Sequence, residues 1–516
     1  MLKCIPRANT VPYNVARQIS NSRFDYKPSQ VCFCYDEDDV VEALRNATPG
    51  KVRVRAGGHH HEGMCSGEDV LLLDVSHIDH VVVDEAAGTV RVGPGAKLGA
   101  IYDAVLAKGF LFPGGACKDV HVGGLVQGGG WGLFARGLGL TCDWLDRFRM
   151  VTWFDNDGRN DYQVTPVRGW VNDPNLELHW AVCGGGGGNF GVATEFLFKI
   201  VPFKYTPGNK AKHVTQFSAT WEDRSVMGDV LKGWMDNFLS FDDFRLTTFC
   251  RLIAPGTEVS DEDKPSLVLG NFIGEWDELN GILEKLLPRR DNVHVEHNDV
   301  AVWPPAGAAP TADIFAPALY QAGAPVSAVD EAPEPPPGLP APAKLGDTCS
   351  GGLFRHKVSS AYPRANEVAN FPSAARDEIL RHINAESLGG ARRYISLHSL
   401  GGVVAPSEED GRNRDEWSCF AYREKPFLIQ YQAWWYDPAL DDTCLSWIAG
   451  FRDDMFNGKF TEGSFINFPD RELVETTDQK ALMRPYYGKN FDRLMRIKNR
   501  FDPNGVFDFP MGIPRR

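Results

Sequence analysis

Three consecutive histidines follow two glycines in Arg55-Ala56-Gly57-Gly58-His59-His60-His61, and Cys117 lies inside a second glycine-rich stretch at 113–132. These residue types can do chemistry. Imidazole titrates near neutral pH and its bare nitrogen is a nucleophile; a thiolate is another. Glycine lets the backbone turn sharply and come close to a ligand. In the second stretch, Gly114, Gly115, Gly123, Gly124, Gly128 and Gly132 help present successive backbone N–H groups to a diphosphate. Val120, Val122 and Leu125, interleaved with them, point to a packed, ordered segment. The two stretches together imply a cofactor held by backbone and side chain. A dinucleotide-binding βαβ turn fits poorly, because no G-x-G-x-x-G opens a helix with an acidic residue at the right distance. His59 and His61 would share one face of an extended chain, but no further ligands stand at zinc spacing, so no metal is expected.

The elements that must carry these groups belong to a long chain. At 516 residues it exceeds what one hydrophobic core usually organises, so two domains are expected. A net charge of −14 without a Lys/Arg run argues against a nucleic-acid partner and reads as a solvated acidic surface. No apolar run is long enough to span a bilayer, so no membrane partner is expected. The first residues lack the apolar core of a secretory signal, which favours a cytoplasmic protein. Eleven cysteines without a paired framework suit a reducing compartment and mostly buried thiols. Cys32 and Cys34 are the nearest approach to a metal spacing, but they sit within one strand and find no second pair.

Strands are predicted at 30–35, 52–55, 70–74 and 89–92, with helices after Asp36 and at 98–108. This alternation indicates an α/β module running to about residue 203. Beyond residue 205, helices fit 226–239, 278–287, 376–385 and 445–456, and apolar strands fit 247–253, 267–273, 394–400 and 427–435. Strands mixed with helices but without short βαβ spacing predict an antiparallel sheet covered on one face. The Pro/Ala-rich stretch at about 304–344 reads as a long surface loop. An amphipathic helix at 490–500 stops at Asp502-Pro503.

The motifs carry a resemblance to the vanillyl-alcohol-oxidase/berberine-bridge-enzyme-like family of FAD-linked oxidases, in its bicovalent-flavin branch. The family's arginine-small-Gly-Gly-His motif looks like Arg55-Ala56-Gly57-Gly58-His59. Its Gly-x-Cys-x-x-Val-x-Val-Gly-Gly motif looks like Gly115-Ala116-Cys117-Lys118-Asp119-Val120-His121-Val122-Gly123-Gly124. Trp180 before the run Gly184 to Gly188, and the tail Tyr486-Tyr487-Gly488-Lys489-Asn490, match as well. The resemblance implies an α+β, two-domain flavoprotein. Its PCMH-type FAD-binding domain would be split between residues 1–204 and 470–516, with an antiparallel-sheet-plus-helices substrate domain at 205–469. It implies FAD bound covalently through His59 (to the flavin 8α-methyl carbon) and Cys117 (to flavin C6). It further assigns Arg55, Ala56, Gly57, Gly58, His60, Ser76, Val120, Gly123, Gly124, Gly128, Gly132, Leu133, Val192, Tyr487 and Asn490 to the cofactor. Valine at 120 goes with oxygen access in oxidases of the family.

The resemblance breaks at the base. Relatives take the hydroxyl proton with a tyrosine of a Tyr-x-Asn-Tyr segment, and the matching segment here is Phe465-Ile466-Asn467-Phe468. Phenylalanine accepts no proton. His61, two residues past the flavin-linked histidine, is expected to replace it, on the ground that imidazole titrates near neutral pH. His398 and Tyr431, with Gln430 beside them, are expected to orient the substrate. The expected function is oxidation of an alcohol or lactol carbon of a bulky glycoside or natural-product intermediate, with a small-molecule substrate and O2 as partners and H2O2 as product. Oxidative C–N or C–C bond formation on an alkaloid-like amine is the alternative, and a catalytically inactive flavin-binding protein is the second.

Overall fold

The computed structural model describes residues 2–8, 10–45, 47–156, 159–169, 173–202, 213–256, 264–301, 354–406, 414–456 and 459–516. The Pro/Ala-rich stretch at 304–344 lies outside them. Four sheets organise the described chain. The first is built from β1 (Lys3–Pro6), β2 (Gln30–Phe33), β3 (Val52–Arg55) and β4 (Leu71–Asp74) in the order β1-β2-β4-β3. β2 and β3 both run parallel to β4. The helix Glu37–Arg45 crosses between β2 and β3; the Asp36 carboxylate accepts the Asp39 N–H at 2.9 Å, and Val40, Ala43 and Leu44 face inward. An acidic first turn favours that helix end electrostatically.

The second sheet takes β5 (Val81–Asp84), β6 (Thr89–Val92), β8 (Leu145–Asn156), β9 (Arg159–Arg168) and β10 (Val192–Lys199) in the antiparallel order β5-β6-β10-β8-β9. A short pair, β7 (Phe110–Leu111) with β11 (Val201–Pro202), adjoins it.

The eight-stranded sheet contains β12 (His213–Trp221), β13 (Leu246–Ile253), β14 (Ser266–Phe272), β15 (His294–Ala301), β16 (Arg355–Pro363), β17 (Arg392–Ser399), β18 (Phe427–Trp435) and β19 (Thr461–Glu462). They follow the order β15-β12-β14-β13-β17-β18-β16-β19, all antiparallel. Helices Met227–Gly233, Trp276–Leu286, Ser373–Ile383 and Asp441–Met455 contribute to one hydrophobic cluster with alternate residues of the strands. Alternation puts successive side chains on opposite faces. Ile429, Tyr431, Ala433 and Trp435 of β18 therefore join the helices, while Gln430, Gln432 and Trp434 face a cavity. A sheet with helices on one face and the rest of the chain on the other is α+β architecture.

The expectation of mostly unpaired thiols is corrected at Cys4, Cys32 and Cys117, all of them disulfide-bonded. Cys4 and Cys32 form a disulfide, because β1 lies antiparallel to β2 with these two residues directly opposite and their Cα atoms 4.0 Å apart. Register is a tertiary quantity, so spacing along the chain could not reveal the pair. Of the seven free cysteines among the described residues, all but Cys65 are buried. No helix among the described residues is long and apolar enough to cross a membrane.

Candidate active site

Three glycine-bearing segments converge on one cavity of about 320 Å³: the turn after β3, the 115–127 segment and the run 186–191. Arg55 ends β3 and braces that turn from behind. Its guanidinium donates to Asp74 on the adjacent strand at 2.8 Å and to the carbonyls of Ala16 and Gln18. Gly57 comes next, and a Cβ there would lie 2.1 Å from His121 Nδ1, so no side chain fits. Gly58 takes φ +73°, which L side chains rarely adopt. On the far side, Asn189 Nδ2 donates to the carbonyls of Gly185 and Gly186 at 3.0 Å, and Tyr487 Oη donates to Gly185 at 2.7 Å. Lys498, fully buried on the helix Phe491–Phe501, donates to the Asn189 carbonyl at 2.8 Å, so the C-terminal helix sets the glycine run.

The histidines separate by what they touch. His59 lines the cavity with its ring 6.0 Å from that of His121. His60 uses Nδ1 to accept the N–H of Glu62 at 3.2 Å, closing the turn. His61 lines the cavity, with Nδ1 3.1 Å from Nε2 of His356 on β16. Burial pushes the ring pKa of His59 and His60 down to about 4 and that of His61 down to about 3; for His61 the neighbouring histidines add to the effect. The three residues are partly exposed and line the cavity, and burial keeps their rings neutral at neutral pH rather than poised to titrate there. The reason given above for preferring His61, titration near neutrality, is corrected accordingly: dense packing removes it, and the neutral nitrogen remains.

The sheet forms the opposite wall. Gln430 lines the cavity, and its Oε1 receives His398 Nε2 at 3.0 Å. His398 itself stands behind, fully buried, between the Trp131 ring at 4.4 Å and the Phe249 ring at 5.8 Å. Burial lowers its pKa to about 3. It therefore orients Gln430 rather than a substrate. Gln432 is oriented the same way, with its Oε1 accepting Trp434 Nε1–H at 2.9 Å. Both amides thus keep their N–H groups for the cavity. Tyr431 is a correction. Its side chain turns to the helix side, where Oη accepts from Ser359 Oγ at 2.8 Å and the ring packs on Phe451 at 4.6 Å, so it cannot orient a substrate in the cavity. Alternation along β18 sends it there.

Several residues assigned to the cofactor support the cavity without lining it. Ser76 caps the Asp74 carboxylate through its N–H at 2.9 Å. A Cβ on Gly128 would collide with Asn467 Oδ1 at 1.9 Å, and one on Gly132 with the Gly114 carbonyl at 1.8 Å. Leu133 and Val192 are buried in hydrophobic clusters, and Asn490 donates to the Cys419 carbonyl at 3.1 Å. Ala56, Val120, Gly123 and Gly124 line the cavity with His59 and Cys117. Cys117 is disulfide-bonded in this structure. Phe468 lines the cavity and Phe465 is buried behind it.

Two functional groups escape sequence reasoning because both sit on β16, whose polar start resembles a loop. One is His356. The other is Lys357, fully buried, with Nζ 2.5 Å from Glu62 Oε1 and 2.6 Å from Asp470 Oδ1. Arg471 donates to Glu62 at 2.8 Å, and Arg452 lies 3.2 Å from Asp470. This cluster joins the histidine turn, the sheet and the C-terminal segment.

The pattern described as FAD binding domain matches residues 28–158, and that described as berberine and berberine like matches residues 464–514. The chain is 30% identical over 519 residues to aclacinomycin-N/aclacinomycin-A oxidase of Streptomyces galilaeus, covering 96% of this chain and 86% of that protein. The chain belongs to the berberine-bridge-enzyme-like FAD-linked oxidoreductases. Within that family it is 29% identical to FAD-linked oxidoreductase YgaK of Bacillus subtilis (strain 168), over 97% of this chain and 94% of that one. The fold matches the crystal structure of aclacinomycin oxidoreductase with a TM-score of 0.75 and 24% identity, over the full length of both chains.

The site fits the FAD that this family binds. His121 Nδ1, on the cavity wall, is buried with no hydrogen-bond partner among the described residues. Cβ atoms on Gly124 and Gly188 would meet nothing within 4 Å, so bare backbone faces open space from two sides. That is a cradle for a group whose diphosphate needs N–H donors and whose ring needs a flat, apolar berth.

Proposed function

We propose that this flavoenzyme oxidises an alcohol or lactol carbon of a bulky glycoside or natural-product intermediate to a carbonyl, with O2 reduced to H2O2. The FAD-binding domain in this reading comprises residues 1–204 and 470–516 and the substrate domain residues 205–469. When bound, FAD supplies the hydride acceptor. His61 takes the hydroxyl proton on its open ring nitrogen, Gln430 and Gln432 direct amide N–H groups at the substrate oxygens, and Trp434 and Phe468 shield the reacting carbon from water. The observation that carries the reading is the position of His61. It stands on the cavity wall two residues from His59, facing the sheet, where Phe465 and Phe468 supply no phenol. A neutral imidazole nitrogen on the cavity wall carries a lone pair that can take the hydroxyl proton. Relatives named aclacinomycin oxidase and, in Chondrus crispus, hexose oxidase support a hydroxyl-bearing substrate. Val120, half-buried on the wall, supports access of O2.

His61→Ala, mixed anaerobically with substrate in a stopped-flow instrument, is expected to lower the rate of flavin reduction by about 100- to 10,000-fold. Reduction at near the parental rate would refute the base.

We further propose attachment of FAD through both His59 and Cys117. The neutral His59 nitrogen is available to add to the ring. A thioether at Cys117 and a disulfide exclude one another on one sulfur, so peptide mapping by mass spectrometry decides between them. Acid-precipitated protein should stay yellow, and a colourless pellet would remove both bonds.

A further inference from the structure

We propose that Arg251 is a specificity-determining residue of this site and that the substrate carries a carboxylate, seated on the guanidinium away from the carbon that is oxidised. The inference rests on the reading of the cavity as an oxidation site and adds the charge of the molecule it takes. The cavity is cationic in an acidic protein. The chain carries a net charge of −14, yet Arg53 and Arg251 line the cavity and, among the described residues, no aspartate or glutamate does. The two arginines belong to different walls. Arg53 stands on β3, which leads into the cofactor turn, and donates to the carbonyls of Val52 at 2.7 Å and Asp508 at 3.0 Å. Arg251 stands on β13 of the eight-stranded sheet, on the wall that carries Gln430 and Gln432. A cleft lined by one sign of charge and walled by protein draws ligands of the opposite sign.

Register fixes where the second charge lies. Arg251 stands directly opposite Ser396 on β17, and Ser396 directly opposite Gln430 on β18, so the three form one row across three strands. Residues opposite one another in an antiparallel sheet share a face, and here that face is the cavity side. The neighbouring row pairs Tyr394 with Gln432, and both line the wall. Arg251 is only 6% exposed, so the sheet rather than solvent sets its position. Its Nε donates to Ser396 Oγ at 3.1 Å, and the ring centroids of Phe249 and Tyr394 lie 5.2 and 5.3 Å from its central carbon. The charge reaches along the wall, where it contributes to lowering the pKa of His398. A guanidinium pairs with a carboxylate through two parallel N–H···O bonds, a match that a neutral amide does not reproduce. The polar groups of the wall thus divide: Gln430 and Gln432 suit hydroxyl oxygens, and Arg251 suits an acid. His61 faces them from the opposite wall, so a substrate spanning the cavity carries its reacting hydroxyl and its carboxylate on separate carbons. A uronic acid has that pattern, with its lactol carbon and its acid group on one ring. The acid group takes part in no bond change.

The test uses the holoprotein and two probes, D-glucuronate and D-glucuronamide, which share one lactol ring and differ in charge. Each is titrated anaerobically against the flavin absorbance, which reads binding whether or not reduction follows. The parent should bind glucuronate about 10- to 100-fold more tightly than glucuronamide. In Arg251→Gln that preference should fall to within about twofold, and Arg251→Lys, which keeps the charge but not the planar fork, should lie between. Equal affinity for the two probes in the parent, or no binding of glucuronate, would overturn the proposal. So would an equal weakening of both probes in Arg251→Gln, since the residue would then act on the fold or the flavin. Should the variants fail to fold, a crystal structure of the parent soaked with glucuronate decides: a carboxylate anywhere but on Arg251 refutes the assignment. An acid preference without flavin reduction would count against the oxidase reading and keep the carboxylate site, whereas reduction by both probes at equal affinity would do the reverse.

Discussion

The two faces of the eight-stranded sheet are made of the same strands and have opposite chemistry. On the helix side, Leu252, Ile395, Leu397, Ile429 and Trp435 are fully or almost fully buried in an apolar cluster. On the cavity side, Ser396, His398, Gln430, Gln432 and His356 are as deeply buried but polar. Burying polar groups costs unless each finds a partner, and on this face the partners are mostly one another. His398 bonds Gln430, Trp434 bonds Gln432, and His61 bonds His356. The helix-side face is mainly apolar, with its buried polar groups Lys357 and Ser359 each paired; on the cavity face the polar groups form a network in which each orients the next.

The strongest way to break this contrast is at Lys357, which alternates with His356 and turns its ammonium to the other side of β16. Lys357→Met removes the cation shared by Glu62 and Asp470, which keep only Arg471 and Arg452 as partners, and should cost about 3 kcal/mol of unfolding free energy in chemical denaturation. A loss below about 1 kcal/mol would mean the cluster does not hold the histidine turn to the sheet.

Acid should also read the two faces differently. His398 has its pKa lowered from its ordinary 6.5 to about 3, so between those values the unfolded chain binds a proton that the folded one refuses. Its contribution is complete above 6.5, falls as pH drops and stops falling near 3. His398→Leu should therefore flatten the pH slope of stability below 6.5 by about 1.4 kcal/mol per pH unit. An unchanged slope between pH 6 and 4 would show that this ring is charged in the folded protein.

The smallest effect sharpens the comparison most, because it concerns neighbours. Gln430→Ala should slow flavin reduction and raise the substrate concentration needed for it. Tyr431→Phe should leave both unchanged and cost about 1 kcal/mol of stability through the lost bond to Ser359. Equal kinetic damage from the two would erase the distinction between the faces.

Much of this was legible in the chain. The strand 427–435 is where its alternation predicts it, the helices 276–286 and 441–455 start within a few residues of their predicted places, and the glycine stretches line the cavity their composition implies. β16 was not legible. Arg355-His356-Lys357 lacks the apolar alternation of a half-buried strand, because its polar side chains are matched by partners hundreds of residues away. The Cys4–Cys32 bond escaped for the same kind of reason.

By itself the sequence determined the local devices: turns that exclude a Cβ, nucleophiles placed within those turns, and the loss of both phenols at Phe465 and Phe468. These depend on residue identity and near neighbours, so they survive without knowledge of the fold. Only the tertiary structure decided that Tyr431 faces the helices while Gln430 faces the cavity, and that His61 meets His356. A strand shifted by one residue exchanges its faces, and a ring nitrogen takes its role from what stands 3 Å away; neither is a property of the chain in isolation.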